Sequence, residues 1–201
     1  MAISAEMVKK LRDQTGAGMM DCKKALTETN GDYDKAATLL REKGIAVAAK
    51  RESRAASEGV IGSYIHMGSQ IGVMVEINCE TAPVAKTDEF QQLAKDIAMH
   101  ISWSDPAYLR REDVPEDVIE KEREVHKQWA INEGKPTQVI DKIVEGRMKE
   151  YFSRACLLEQ PFIKDEDLTI QDLIHNVVAK VGEKIDVSRF IRYRIGETSR
   201  D

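Results

Sequence analysis

The sequence predicts an α+β fold: a three-helix unit at the amino terminus, then an antiparallel sheet packed with helices and a helical hairpin. Three observations predict it. Residues 4–44 hold three short helical patterns parted by Gly16-Ala17-Gly18 and Asn30-Gly31, and glycine turns the chain where other residues are hindered. From Ile71 to Cys79 apolar residues occupy every second position, the period of a strand buried on one face. Residues 115–156 carry two helical patterns joined only through Gly134-Lys135, which implies an antiparallel helical hairpin. The expected organisation is a three-helix domain over 1–45, a linker over 46–57 and an α+β core over 58–201, with the hairpin at about 115–156.

Ser4 is the expected N-cap of a first helix carrying Met7, Val8 and Leu11. The Thr15-Gly16-Ala17-Gly18 joint ends it. A second helix is expected from Met19 to Thr29, with Cys22, Ala25 and Leu26 on one stripe. Asp32 caps a third with Ala36, Ala37, Leu39 and Leu40, and Gly44 stands where a terminating glycine belongs. This pattern resembles the ubiquitin-associated (UBA-like) three-helix fold. Met19 and Met20 are adjacent, so they cannot both face one core; at least one is expected in solvent. Methionines on a surface suit a groove that must adapt to a partner.

Residues 45–57 are alanine-rich with Lys50, Arg51 and Arg54, which reads as a helical or semi-rigid linker. Residues 60–65 and 70–79 flank Met67-Gly68-Ser69 as a hairpin. Thr87 caps a helix in which Phe90, Leu93, Ala94, Ile97, Ala98 and Ile101 form one stripe over the sheet. Pro115 opens the next helix, with Val118, Val125 and Trp129 as its apolar stripe; Pro136 opens its partner, with Val139, Ile140, Ile143 and Val144, continuing through Met148, Tyr151 and Ala155. Asp165-Glu166-Asp167 is expected as a solvated turn before a helix capped by Thr169 and ended by Gly182. A last strand is expected over 185–195, alternating through Val187, Ile191, Tyr193 and Ile195.

The composition restricts function. With 30 Lys+Arg against 35 Asp+Glu the net charge is −5, which lacks the electrostatic footprint of a nucleic-acid binder. No apolar run approaches the roughly 20 residues that span a bilayer. Glu6, Lys9 and Lys10 give no secretory pattern, and Cys22, Cys79 and Cys156 read as reduced thiols; the expected location is the cytoplasm. His66, His100, His126 and His175 are scattered without metal-ligand spacing, with His100 read as a boundary residue. There is no phosphate-binding glycine motif and no nucleophile elbow. No cofactor, metal or catalytic residue is expected. The segment Glu76–Lys86 stands out instead, because it leaves a buried strand for an exposed loop.

Residues 11–26 and 76–86, together with Leu157–Phe162 and Phe190–Gly196, resemble the elongation factor Ts family across the chain, in its short form with one core half of the dimerisation type. The resemblance implies a guanine-nucleotide exchange factor for the translational GTPase elongation factor Tu. It implies that Arg12, Met19, Met20 and Lys23 dock on the GTPase, and that Thr81, Ala82, Pro83 and Val84 disturb its magnesium and phosphate region. It also allows a homodimer or a 2:2 complex. The family carries Asp-Phe where this chain has Ala82-Pro83, so the carboxylate and the aromatic wedge are missing. Losing an aromatic anchor costs about 2–4 kcal/mol at an interface, or about 30- to 1000-fold, so slower exchange is expected. The alternative is a UBA-like binding module fused to an α+β domain without exchange activity.

Overall fold

The computed structural model describes residues 3–197. Its helices are α1 (Ala5–Thr15), α2 (Met19–Glu28), α3 (Tyr33–Ala49), α4 (Ala82–Ala85), α5 (Asp88–Ser104), α6 (Glu116–Asn132), α7 (Thr137–Ala155) and α8 (Ile170–Val181). Its strands are β1 (Glu58–Ile65), β2 (Ile71–Cys79), β3 (Pro161–Phe162), β4 (Asp165–Thr169) and β5 (Ile185–Arg194). The chain divides into two compact units, one from residues 1–99 with 171–201 and one from residues 100–170. The mixed α+β class is as the periodicities predict.

In the first unit, Ser4 caps α1 by accepting the Met7 N–H at 3.1 Å, and Gly16, at φ 66°, ends it. Asp32 caps α3 through the Lys35 N–H. The three helices enclose Val8, Leu11, Cys22, Ala25, Leu26, Ala36 and Leu40. Gly44 does not end its helix as expected; α3 runs on to Ala49 and takes up residues 46–49. Gly44 is buried, and a Cβ there would lie 3.6 Å from the His175 carbonyl oxygen of α8. The two helices pass near one another here, at a distance that would still admit a Cβ. The glycine's propensity penalty of about 1 kcal/mol is outweighed by the burial of Ala36 and Leu40 earlier in α3 and by the alanines at 46, 48 and 49.

The sheet has the order β1-β2-β5, antiparallel throughout. Val73, Val75, Ile77 and Cys79 of β2 are buried, as their alternation predicts, together with Phe90, Leu93, Ala94, Ile97 and Ala98 of α5. Gly62 of β1 lies under Ala94 of α5, where a Cβ would fall 3.0 Å from the Ala94 carbonyl. In β5 the expected alternation fails. Glu76 faces Arg189 and Ile77 faces Val187, so Ser188 is an extra residue. Such a bulge shifts the pleat by one. Ile185, Val187 and Phe190 consequently share the core face, whereas Ile191 and Tyr193 turn outward and are exposed.

In the second unit, α6 and α7 form the antiparallel hairpin about Gly134, with Ala130, Ile140, Val144, Met148 and Phe152 buried. Val125 was expected on the inner stripe but is 60% exposed. The inner line instead passes through Val118, Glu122, His126 and Ala130 at four-residue spacing, with the small Ala130 fully buried where the pair closes. Trp129 stays half in solvent with the Arg147 guanidinium 4.8 Å from its ring centre. Asp165-Glu166-Asp167, expected as a solvated turn, lies in the strand β4. His100, expected at a boundary, is fully buried. One ring nitrogen meets Gln160 Oε1 at 2.9 Å and the other accepts the Ile163 N–H at 3.4 Å.

Candidate functional site

The glycine joint between α1 and α2 borders a cleft of about 650 Å³ lined by Arg12, Asp13, Met19, Asp21, Glu89 and Lys180 together with Gly16 and Gly18. Gly16 closes α1 by donating its N–H to the Arg12 carbonyl at 2.7 Å. Gly18 starts α2 in extended conformation, which throws the first turn of α2 outward. Met19 is 49% and Met20 64% exposed, so neither methionine fills the core. Arg12 and Lys23 are exposed beside them. The four residues lie on adjoining ends of α1 and α2, and Arg12 and Met19 share the cleft.

A second element follows β2. Thr81 precedes the single turn α4, in which Pro83 occupies one of the first two positions; proline suits a helix start because its missing N–H would have no partner there. Ala82 and Pro83 are exposed and Val84 is half-buried. Ala85 anchors the turn in the core. Thr81 does not cap α4 with its side chain. Its hydroxyl instead donates to Glu183 Oε1 at 2.7 Å, and its backbone N–H donates to Glu183 Oε2 at 3.0 Å. Next to it Glu80 accepts the Lys184 N–H at 2.7 Å and pairs with Arg54 at 3.2 Å. The Lys184 N–H, with the Arg54 guanidinium behind it, holds the Glu80 carboxyl below the usual glutamate range.

The carboxyl end of α8 meets both elements. Lys180, in its last turn, packs over Gly16; a Cβ at that glycine would fall 2.9 Å from Lys180 Cε and collide with the ammonium. Burial lowers the Lys180 pKa below the usual lysine value, the Glu89 carboxylate opposing this and the Arg12 charge adding to it. Two residues after α8 comes Glu183, the partner of Thr81. Arg51 Nε donates to the Gly182 carbonyl at 2.8 Å, which ties the chain beyond α3 to the same turn. Burial also pushes the Cys22 and Cys79 thiols up. They are therefore poor nucleophiles. Among the described residues no group of three His, Cys, Asp or Glu could hold a metal ion, and no helix is long and apolar enough to cross a membrane.

Sequence reasoning did not single out Lys180, Glu183 or Lys184, and it read Arg51 only as a basic residue of the linker. Their contacts span as many as 132 residues, and nothing local marks an acidic residue after a helix-ending glycine as a loop anchor.

Fold and site together define an α+β protein that carries a three-helix unit and an exposed proline loop, both held to the end of one helix. Comparison with known proteins identifies which. Residues 3–197 match the family model for Elongation factor TS. The chain is 60% identical to elongation factor Ts of Syntrophomonas wolfei over 97% of its own length and 91% of that protein. It is 58% identical to that of Carboxydothermus hydrogenoformans over 97% and 90%, and 53% identical to that of Syntrophus aciditrophicus over 98% of both. The chain belongs to the elongation factor Ts family of translation elongation factors.

Proposed function

We propose that the chain is the guanine-nucleotide exchange factor of elongation factor Tu, acting in the cytoplasm by a two-point grip. The three-helix unit docks through Arg12, Met19, Met20 and Lys23, and the Thr81–Val84 loop reaches the magnesium and phosphate region. The observation that carries this reading is the exposure of Met19, Met20, Ala82 and Pro83 on elements tied to the same helix end. No bond is made or broken by the factor. It binds the vacant GTPase more tightly than the GDP-loaded one, and by linkage it weakens GDP binding by the same factor.

Ala82 and Pro83 lower the rate of this exchange. Neither has a carboxylate or a ring to displace the cation, and Pro83 has no N–H to offer. Docking through the methionines is left intact. Calorimetry against vacant and GDP-loaded GTPase, beside release of a fluorescent GDP analogue, tests the reading. Tighter binding to the vacant form is expected; equal affinity for both forms removes it.

The factor also pairs with a second copy, giving a homodimer and a 2:2 complex with the GTPase. The outer face of the sheet supports this. Ile61, Ile65, Met74, Ile191 and Tyr193 share that face by register and are all exposed. Monomers rarely leave such contiguous apolar area in water, and two sheet faces can stack at about 10 Å.

A further inference from the structure

We propose that the carboxyl end of α8, residues 180–184, is a brace that sets the Thr81–Val84 loop against the glycine joint, with Glu183 the positioning residue of the loop and Lys180 that of the joint. The inference rests on the exchange-factor reading above and adds to it residues that lie outside every segment carrying the family resemblance.

Glu183 uses both carboxylate oxygens on one residue, taking the Thr81 N–H and the Thr81 hydroxyl. Bonds to an ionised acceptor are the stronger kind, and a two-point grip fixes direction as well as distance. The grip changes what Thr81 does. An N-cap threonine ordinarily turns its oxygen to the N–H two or three residues on; here the first of those positions is Pro83, which has none. The hydroxyl is directed to Glu183 instead. A four-residue helix such as α4 cannot hold itself in place; buried Ala85 and the bonds that its carbonyl and that of Val84 accept from Gln91 and Thr87 fix its far end, while Glu183, beside the Glu80–Lys184 bond, fixes its start at Thr81 together with the Cys79 thiol.

At the other end of the brace, Lys180 lies over Gly16, the αL residue that closes α1. The carbonyl end of a helix attracts a cation. Among the described residues Lys180 has no hydrogen bond or close ion pair; Glu89 faces it at longer range and Arg12 repels it. The joint is therefore held by packing and by the helix end. Three residues, Val181 to Glu183, carry the chain from one element to the other. A displacement of this turn would move loop and joint together.

The test uses the full chain with GTPase carrying a fluorescent GDP analogue. Release rate is measured against factor concentration, alongside amide hydrogen exchange over residues 79–86 and thermal unfolding. For Glu183→Ala the expected result is a maximal release rate lowered about tenfold and a half-saturating concentration within about twofold of the unmodified chain. Thr81 amide exchange rises about tenfold, with the unfolding midpoint kept within about 2 °C. Thr81→Val, which keeps the N–H bond, falls between the two. Lys180→Met gives the opposite split, a raised half-saturating concentration at an unchanged maximal rate. An unaltered maximal rate or unaltered Thr81 exchange in Glu183→Ala overturns the brace. If the unmodified chain neither speeds release nor prefers the vacant GTPase, the exchange-factor reading falls instead, and the Thr81 amide alone decides for or against the brace.

Discussion

Arg41 of α3 and Asp172 of α8 form a two-point ion pair, with Nε to Oδ1 at 3.0 Å and a terminal nitrogen to Oδ2 at 2.7 Å. The Asp172 side chain is only 7% exposed, whereas that of Arg41 is 47% exposed. Desolvation has been met on the acidic side only, so the pair matters chiefly for the carboxylate it satisfies.

Arg41→Ala is therefore expected to destabilise the protein by about 1–2 kcal/mol, at the low end for a pair with a buried member because water reaches Arg41. Arg41→Lys recovers part of the loss, since an ammonium cannot match the planar fork. Urea unfolding followed by circular dichroism measures both. A loss below about 0.3 kcal/mol in Arg41→Ala would show that solvent replaces the guanidinium without cost.

Gly44 gives a prediction whose sign changes with side-chain size. A Cβ at this position would rest 3.6 Å from the His175 carbonyl oxygen and 3.8 Å from Asn176 Oδ1, ordinary contact distances. Gly44→Ala removes the flexibility of glycine from a helix interior and is expected to stabilise by about 0.5–1 kcal/mol. Gly44→Leu drives the same contact apart and is expected to destabilise by about 1–3 kcal/mol. Thermal unfolding of the two variants checks the pair; a stabilised leucine variant would show that α3 and α8 are not closely opposed here.

His100 makes stability depend on pH. Burial lowers its pKa below the ordinary histidine value, and the Gln160 hydrogen bond opposes this only in part. The ring is neutral in the folded protein, accepting the Ile163 N–H. Protonation would set two donors against each other. The unfolded chain binds the proton more readily, so stability is complete above about pH 6.5 and is lost as pH falls from there toward the folded-state pKa. Urea unfolding between pH 7.5 and 5 is expected to show a slope of up to about 1.4 kcal/mol per pH unit from this residue. His175, also lowered by burial, acts in the same direction. A slope that His100→Gln leaves unchanged would assign the effect elsewhere.

The local features of this chain were legible before the structure. Ser4 and Asp32 cap the helices they precede, β2 buries every second residue from Val73 to Cys79, and adjacency alone foretold that a methionine of the 19–20 pair must reach solvent. What escaped prediction depends on distant contacts. Gly44 looks like a helix stop until His175 is seen against it. The extra Ser188 leaves no trace in composition, yet it reverses which residues of β5 face the core. Of the candidate site, both exposed segments were visible as motifs. Glu183, 102 residues from Thr81, was not.

The reversal in β5 leads to a prediction about self-association. It brings Ile191 beside Met74 and Tyr193 beside Gly72 on the outer face, with Ile65 lying over Gly72 from the other side. Met74→Lys places a charge at the middle of this face while leaving the buried face of β2 untouched. Sedimentation is expected to show a dimer for the unmodified chain and a monomer for Met74→Lys, with far-UV circular dichroism unchanged. A monomer in both cases would assign the apolar face to some other partner.

Placing at 82 and 83 the Asp-Phe pair that the resemblance implies separates docking from exchange. Both positions are exposed, so Ala82→Asp with Pro83→Phe perturbs no core. Stability is expected to change by less than about 0.5 kcal/mol. An aspartate at the first helical position faces the positive end of α4 and is compatible with its fold. Phenylalanine at 83 supplies both a ring and an N–H. If the loop is the element that dislodges the cation, GDP release should accelerate by about 30- to 1000-fold at saturating factor. If docking runs through Arg12, Met19, Met20 and Lys23, the half-saturating concentration should change far less. Stopped-flow release of the fluorescent GDP analogue reads both quantities. A double variant no faster than the unmodified chain would mean that exchange here runs through contacts other than this loop.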